Sequence, residues 1–199
     1  MSKRQSIDYS QGFGRVKKRN EKKIGKNLIH TLTLCFKMTL DEVRLERLKK
    51  MHVASFHAVS DTPEEDAWKK LETWAKSKGL FKKTTEARVF GRNTYPTKNP
   101  EPHGYEFLMT IEENVEAEGD VKIKEIPGGL YAVLRFTDLN NIGKAWEKLW
   151  TWIKESKHEH VGWKKGEHGW CTSYEEHLTW YERKPPEEWV FDLWVDLKK

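Results

Sequence analysis

The segment Ala67-Trp68-Lys69-Lys70-Leu71-Glu72-Thr73-Trp74-Ala75-Lys76 returns 78 residues later as Ala145-Trp146-Glu147-Lys148-Leu149-Trp150-Thr151-Trp152-Ile153-Lys154, identical at seven of ten positions. The same offset, without a gap, carries Val43-Arg44-Leu45 onto Val121-Lys122-Ile123 and Leu48 onto Ile126. It also carries Val53-Ala54-Ser55-Phe56 onto Tyr131-Ala132-Val133-Leu134. A repeat of this length is one supersecondary unit copied, here a strand-then-helix unit. Fused copies pack about a pseudo-twofold axis, and their seam is a natural place for a cleft.

Each copy reads β-α-β-β. In the first, residues 43–60 read as a strand kinked near Lys49-Lys50. Asp61-Thr62-Pro63-Glu64-Glu65 is a helix start: a capping residue, proline in the first turn and acids beside the positive dipole end. The helix is expected to run to about Ser77 and to stop at Lys78-Gly79. Trp68, Leu71 and Ala75 stand at i, i+3 and i+7, the spacing of a buried stripe. Strands follow at Ala87–Asn93 and Tyr105–Glu112, and three prolines in the loop between them forbid ladder pairing there. The second copy gives a strand over Val121–Phe136 broken by Pro127-Gly128-Gly129. A helix then runs from Asn140 or Asn141 to near Ser156, with Trp146, Leu149 and Ile153 as its stripe. An irregular stretch from His158 to Gly169 precedes strands at Thr172–Arg183 and Val190–Leu197. The expected fold is α+β: duplicated β-α-β-β repeats (about 41–115 and 119–199) forming an antiparallel sheet. Two helices lie on one face, with a ligand cleft at the pseudo-twofold seam.

Charge divides the chain. Residues 1–40 hold ten Lys/Arg against two acids, whereas residues 41–199 hold 26 against 29. The first 27 residues, with Arg15, Lys17, Lys18, Arg19, Lys22, Lys23 and Lys26 clustered, read as a flexible basic extension. Met38 stands just before the first repeat, so deleting residues 1–37 is expected to leave folding intact. The slightly acidic remainder gives no electrostatic reason to bind nucleic acid, which leaves at most weak phosphate contact through residues 1–27. Two cysteines, Cys35 and Cys171, make no disulfide framework, and the start lacks the apolar run of a secretory signal. No stretch approaches the ~18 apolar residues of a membrane span. A cytoplasmic protein is expected.

All ten tryptophans lie between Trp68 and Trp194, more flat amphipathic area than a small core needs. The strand Ser173–Tyr181 is where chemistry gathers. Alternation places Glu175, His177, Thr179 and Tyr181 on one face, and Tyr174, Glu176, Leu178 and Trp180 on the other. If Leu178 and Trp180 face the helices, Glu175 and His177 face away, and Trp194 on the last strand stands beside Glu175. Tyr105 and Phe107 alternate likewise with Glu106 and Leu108. A carboxylate among aromatic faces serves as counter-charge for a lipophilic cation, or as a general acid or base if desolvation raises its pKa. Spacing alone also fits a half-exposed glutamate with no role. His158-Glu159-His160 and His168-Gly169-Trp170-Cys171 match no zinc spacing, and Cys171 lacks a nucleophile signature. No glycine-rich phosphate loop follows a strand. No metal and no cofactor are expected.

Ile126-Pro127-Gly128-Gly129-Leu130-Tyr131-Ala132-Val133 resembles the GyrI-like small-molecule-binding domain, of the AraC-type effector-binding and SOUL-like superfamily. The helix from Ala145, the strand start Tyr174-Glu175-Glu176-His177 and the closing Phe191-Asp192-Leu193-Trp194-Val195 continue the resemblance in order, over about residues 41–199. The likeness implies a pocket at the junction of the repeats, where a glutamate in an aromatic-Glu-x-Tyr motif meets cationic aromatic compounds. Glu175 fills the glutamate place. His177 fills the tyrosine place, a departure that changes the pocket's hydrogen bonding and pH response. The candidate ligand-binding residues are Glu175, His177, Tyr181, Trp194, Tyr105, Phe107, Trp152 and Trp170. Relatives are often fused to AraC-like or MerR-like DNA-binding domains, and the 40 leading residues are too short for one. The function expected is stand-alone binding of bulky aromatic, often cationic, molecules. The alternative is hydrolysis of cyclopropane-bearing toxic compounds, as in some stand-alone relatives, with Glu175 as general acid/base.

Overall fold

The computed structural model describes residues 42–81, 86–94, 103–117, 119–162, 165–166, 169–170, 173–182 and 184–198. The basic extension, the three-proline loop, Cys35, Cys171 and His168 lie outside the described residues. In chain order the elements are β1 (Arg44–Leu48), β2 (Met51–Val59), α1 (Pro63–Ser77), β3 (Val89–Thr94), β4 (Gly104–Thr110), β5 (Lys122–Ile126), β6 (Gly129–Thr137) and α2 (Ile142–Glu155). A two-residue hairpin follows, β7 (Lys165–Gly166) with β8 (Gly169–Trp170), and then β9 (Ser173–His177) and β10 (Val190–Leu197). The first strand does break at Lys49-Lys50, as the sequence suggests.

Eight strands form one antiparallel sheet in the order β1-β6-β10-β9-β3-β4-β2-β5. Exchanging each strand for its counterpart in the other copy reverses this order onto itself, which is the twofold expected of a duplication. The register obeys the sequence offset: Arg44 pairs with Val133 and Lys122 with Ser55, Leu45 with Ala132 and Ile123 with Ala54. Each copy thus lends its first strand to the edge of the other copy's half-sheet. The halves meet at β3 and β9, through Phe90 opposite Glu176 and Gly91 opposite Glu175.

Both helices start and stop for local reasons. In α1, Pro63 opens the first turn and Glu64, Glu65 and Asp66 sit at the positive dipole end. The capping differs from expectation. Thr62 is the N-cap and makes no side-chain cap bond; instead Ser60 Oγ accepts from the Thr62 amide (3.3 Å) and donates to Asp66 (2.7 Å). Gly79, at φ +68°, turns the chain out of the helix at no steric cost. Before α2, Asp138 accepts hydrogen bonds from the Asn140 amide and from the Asn140 and Asn141 side chains.

The buried stripes keep Leu71 and Ala75, and Leu149 and Ile153, but each opens one residue earlier than the repeat suggests. Ala67, Leu71, Trp74 and Ala75 are buried in α1, and Ala145, Leu149 and Ile153 in α2, while Trp68 and Trp146 stay partly exposed at the helix margin. The first half packs α1 on Ala54, Phe56, Val89, Tyr105, Phe107 and Met109. The second packs α2 on Ala132, Leu134, Phe136, Phe191, Leu193 and Val195. The opposite face of the curled sheet is buried too, by Val53, Phe90, Leu108, Tyr131, Val133, Tyr174 and Trp194.

Among the described residues no helix is long and apolar enough to cross a membrane, and no three His, Cys, Asp or Glu side chains gather as metal ligands.

Candidate functional site

The two faces of the sheet treat their carboxylates differently. Away from the helices, Glu176 is gripped by Arg88 through two bonds (2.6 and 2.8 Å) and by the Trp194 indole (2.9 Å). Fully buried Glu106 receives Ser55, Arg92 and Lys124. Burial opposes its charge, but Arg92, Lys124 and Ser55 outweigh burial and hold its pKa at about 2. Asp192 is paired with Arg135 and Arg44, which depress its pKa against the opposing effect of burial.

Glu175 points the other way, beneath the helices. Tyr105 donates to its Oε2 at 2.7 Å and the Trp146 indole to its Oε1 at 3.1 Å. Desolvation raises its pKa; the Tyr105 and Trp146 bonds work against that, and Glu64 adds to it. Among the described residues it is the one buried carboxylate that has no cationic partner.

Duplication explains how this pair arose. Gly91 and Glu175 face each other across the axis and are counterparts, since Gly91 lies opposite Phe107 and Glu175 opposite Leu193. Phe107 and Leu193 in turn lie opposite Phe56 and Leu134, which the 78-residue offset relates. By the same mapping Phe191 is the counterpart of Tyr105. One copy therefore supplies the hydroxyl and the other the carboxylate. Gly91 makes their meeting possible: a Cβ there would stand 2.0 Å from the Tyr105 hydroxyl. Gly91→Ala is expected to displace Tyr105 and cost about 1–3 kcal/mol by overpacking. An unchanged melting temperature would contradict this geometry.

Two residues along β9, the His177 ring lies edge-on to Phe107 (centroids 5.1 Å) and Phe191 (4.8 Å). Desolvation lowers its pKa to about 3, so it is neutral at physiological pH. Its Nε2 is buried without a hydrogen-bond partner. Trp68 packs on Phe107 (5.2 Å) and Phe81 (6.2 Å), and Trp146 stacks on Trp150 (6.4 Å), so indoles from both helices border the seam.

Residues 41–198 match the GyrI-like small molecule binding domain. The chain belongs to this family. The GyrI-like domain is a small-molecule-binding module, and here it occupies nearly all of the described chain. No curated protein matches significantly. Among solved structures, the chain is similar to EcmrR in its complex with DNA, at 14% identity and TM-score 0.58, over 84% of this chain and 60% of that one. It thus spans less than two thirds of the EcmrR chain. SAV2435 bound to tetraphenylphosphonium is similar at 10% identity and TM-score 0.51, over 79% of this chain and 94% of that one. A hydrolase from Listeria innocua is similar at 7% identity and TM-score 0.54, over 79% and 92%. At such identities the likeness is one of fold.

Within this GyrI-like domain, Glu175, His177, Tyr105 and Phe107 come together on the helix-facing side of the sheet. The expectation that Glu175 and His177 face away from the helices is corrected: both sheet faces are buried, so alternation could not tell which carried the helices. Trp194 does not stand beside Glu175. It lies opposite Tyr174 in the β9–β10 register, on the other face, bonded to Glu176. The strand expected to reach Arg183 ends at His177, where Leu178 N donates to Val190 O and the chain turns. Tyr181 therefore sits in a turn, its ring against Trp180 (5.8 Å), and Trp180 reaches the first-half core from that turn rather than from a strand. Trp152 stacks on His158 (6.0 Å), and the α2 contact to Glu175 is Trp146, six residues earlier. Trp170 lies in β8, and its side chain is outside the described residues.

Trp146 and Gly91, which contact the Glu175–Tyr105 pair, carry no signal in the repeat or in the alternation. A glycine inside an aromatic-flanked strand is a sign of close approach by another group, and it was available in the sequence.

Proposed function

We propose that the domain binds bulky aromatic cations at the seam, with Glu175 as counter-charge. The observation that carries this is the neutral pairing of Glu175 with Tyr105 and Trp146. Among the described residues each other buried carboxylate has an Arg or Lys partner, whereas Glu175 is held by two neutral donors beneath a rim of indoles. A desolvated carboxylate without a counter-ion is costly, and a flat cation arriving there gains both ion pairing and cation–π attraction. Tyr105 is only 4% exposed, while Trp146 is half-buried at a helix margin, so Trp146 is the partner a ligand displaces. The tetraphenylphosphonium held by SAV2435 is a compound of this class and a suitable probe.

Titration with tetraphenylphosphonium and a rhodamine cation is expected to quench tryptophan fluorescence saturably. Affinity should rise with pH through the raised pKa of Glu175, because only the carboxylate attracts the cation. Absence of saturable binding by either probe, or equal binding of an anionic dye of similar size, would overturn the reading.

The hydrolytic alternative rests on the same raised pKa, which suits a general acid. Among the described neighbours no base stands ready to activate water: His177, with its pKa near 3, is too weak. Incubation with a cyclopropane-bearing electrophile is expected to yield no enzyme-dependent water adduct by mass spectrometry. An adduct lost in Glu175→Gln would reverse this preference.

A further inference from the structure

On the face that carries Glu175, and two residues away, His177 presents a buried Nε2 with no hydrogen-bond partner. Leaving a polar atom so placed is costly, and a ligand that completes it recovers the lost bond. The ring is held between Phe107 and Phe191, both edge-on, which fixes where the atom stands. Orphaned buried N–H groups are rarer than under-satisfied acceptors, so the tautomer with the proton on Nδ1 and a lone pair at Nε2 costs less. Burial keeps the ring neutral, so it does not repel a cation bound at Glu175. Along an extended strand the two side chains emerge about 7 Å apart. That is a fixed ruler between a negative group and an acceptor.

Resting on the binding reading above, we infer that His177 sets ligand class: the site selects aromatic cations that carry an N–H or O–H donor about one strand repeat from the charge. Fully substituted cations of the same shape satisfy Glu175 and leave the His177 acceptor empty. The neutral imidazole works as a specificity determinant, and Glu175 supplies the general attraction.

A matched pair of probes tests this: 3,6-diamino-10-methylacridinium, which has four N–H donors, and its tetra-N-methylated analogue, which has none. Ring system and charge are the same. Wild type is expected to hold the diamino ion roughly five- to tenfold more tightly, the worth of one recovered buried hydrogen bond. His177→Phe, which fits between the two phenylalanines, should abolish the preference, and His177→Gln, which retains an acceptor oxygen, should keep most of it. Glu175→Gln should weaken both ions together. Equal binding by wild type, or a preference that survives His177→Phe, overturns the inference while leaving cation binding in place. Failure of both ions to bind wild type removes the binding reading and this inference with it. Should His177→Phe not fold, the wild-type ratio and its retention in His177→Gln decide the matter.

Discussion

Glu175→Gln is expected to weaken binding of aromatic cations ten- to hundredfold and, in the same protein, to raise the melting temperature of the ligand-free form. The first effect follows from removing the counter-charge of a desolvated cation, about 1.5–3 kcal/mol. The second follows from linkage. The folded-state pKa of Glu175 is raised by desolvation, so its contribution to stability is present below the ordinary carboxylate value and is lost as pH rises through the raised one. Glutamine has no such loss. It can still accept from Trp146 through its oxygen and donate to Tyr105 through its amide. Each ~1 kcal/mol so recovered corresponds to about 2–4 °C in a chain of this size. A variant that binds as wild type does, or one that melts lower at neutral pH and is not rescued by acid, would show that the carboxylate is structural. A binding site that is less stable than it could be is the expected cost of keeping a charge ready for a ligand.

The opposite result is expected for Glu106→Gln, although Glu106 is also a buried glutamate on a central strand. Its partners Arg92 and Lys124 are themselves largely buried, at 16% and 17% side-chain exposure. Removing the acid takes from both cations the carboxylate they share in a desolvated cluster, a loss of about 3–5 kcal/mol. The sign with pH also inverts. Glu106 has a folded-state pKa near 2, so its stabilisation is present above the ordinary carboxylate range and is lost as pH falls toward 2. Denaturant unfolding at neutral pH measures the loss, and the variant should show a flatter stability profile between pH 4.5 and 2. A loss below about 1 kcal/mol would mean that the cluster is solvated and that Glu175 is not distinguished by lacking a cation. The two variants therefore test one claim from both sides: a buried acid with a built-in partner serves the fold, and a buried acid without one serves a ligand.

How far the sequence could be read depended on whether chemistry was local. The repeat at offset 78 announced the duplication, and the strand register honours it pair by pair. The kink at Lys49-Lys50, the start of α1 at Pro63 and its stop before Gly79 are short-range matters of proline, dipole and left-handed backbone, and they were legible. The position of Glu175 in an aromatic setting was legible from its strand and its family resemblance. Its face was not. Period-two alternation assigns residues to two sets, and with Tyr174 and Trp194 buried on one side and Tyr105 and Phe107 on the other, apolar content cannot say which set meets the helices. The same ambiguity moved Trp194 away from the site and brought Trp146 into it.

The sequence by itself determined that two β-α-β-β copies would pair about a twofold, because hydrophobic spacing and turn chemistry are written residue by residue along the chain. Tertiary structure alone decided that a hydroxyl from one copy and a carboxylate from the other would meet at the axis over Gly91. It alone decided as well that, among the described buried carboxylates, this one would be left without a cation. Both depend on which side chains, distant in sequence, are brought within 3 Å of each other and out of water, and no local pattern encodes that distance.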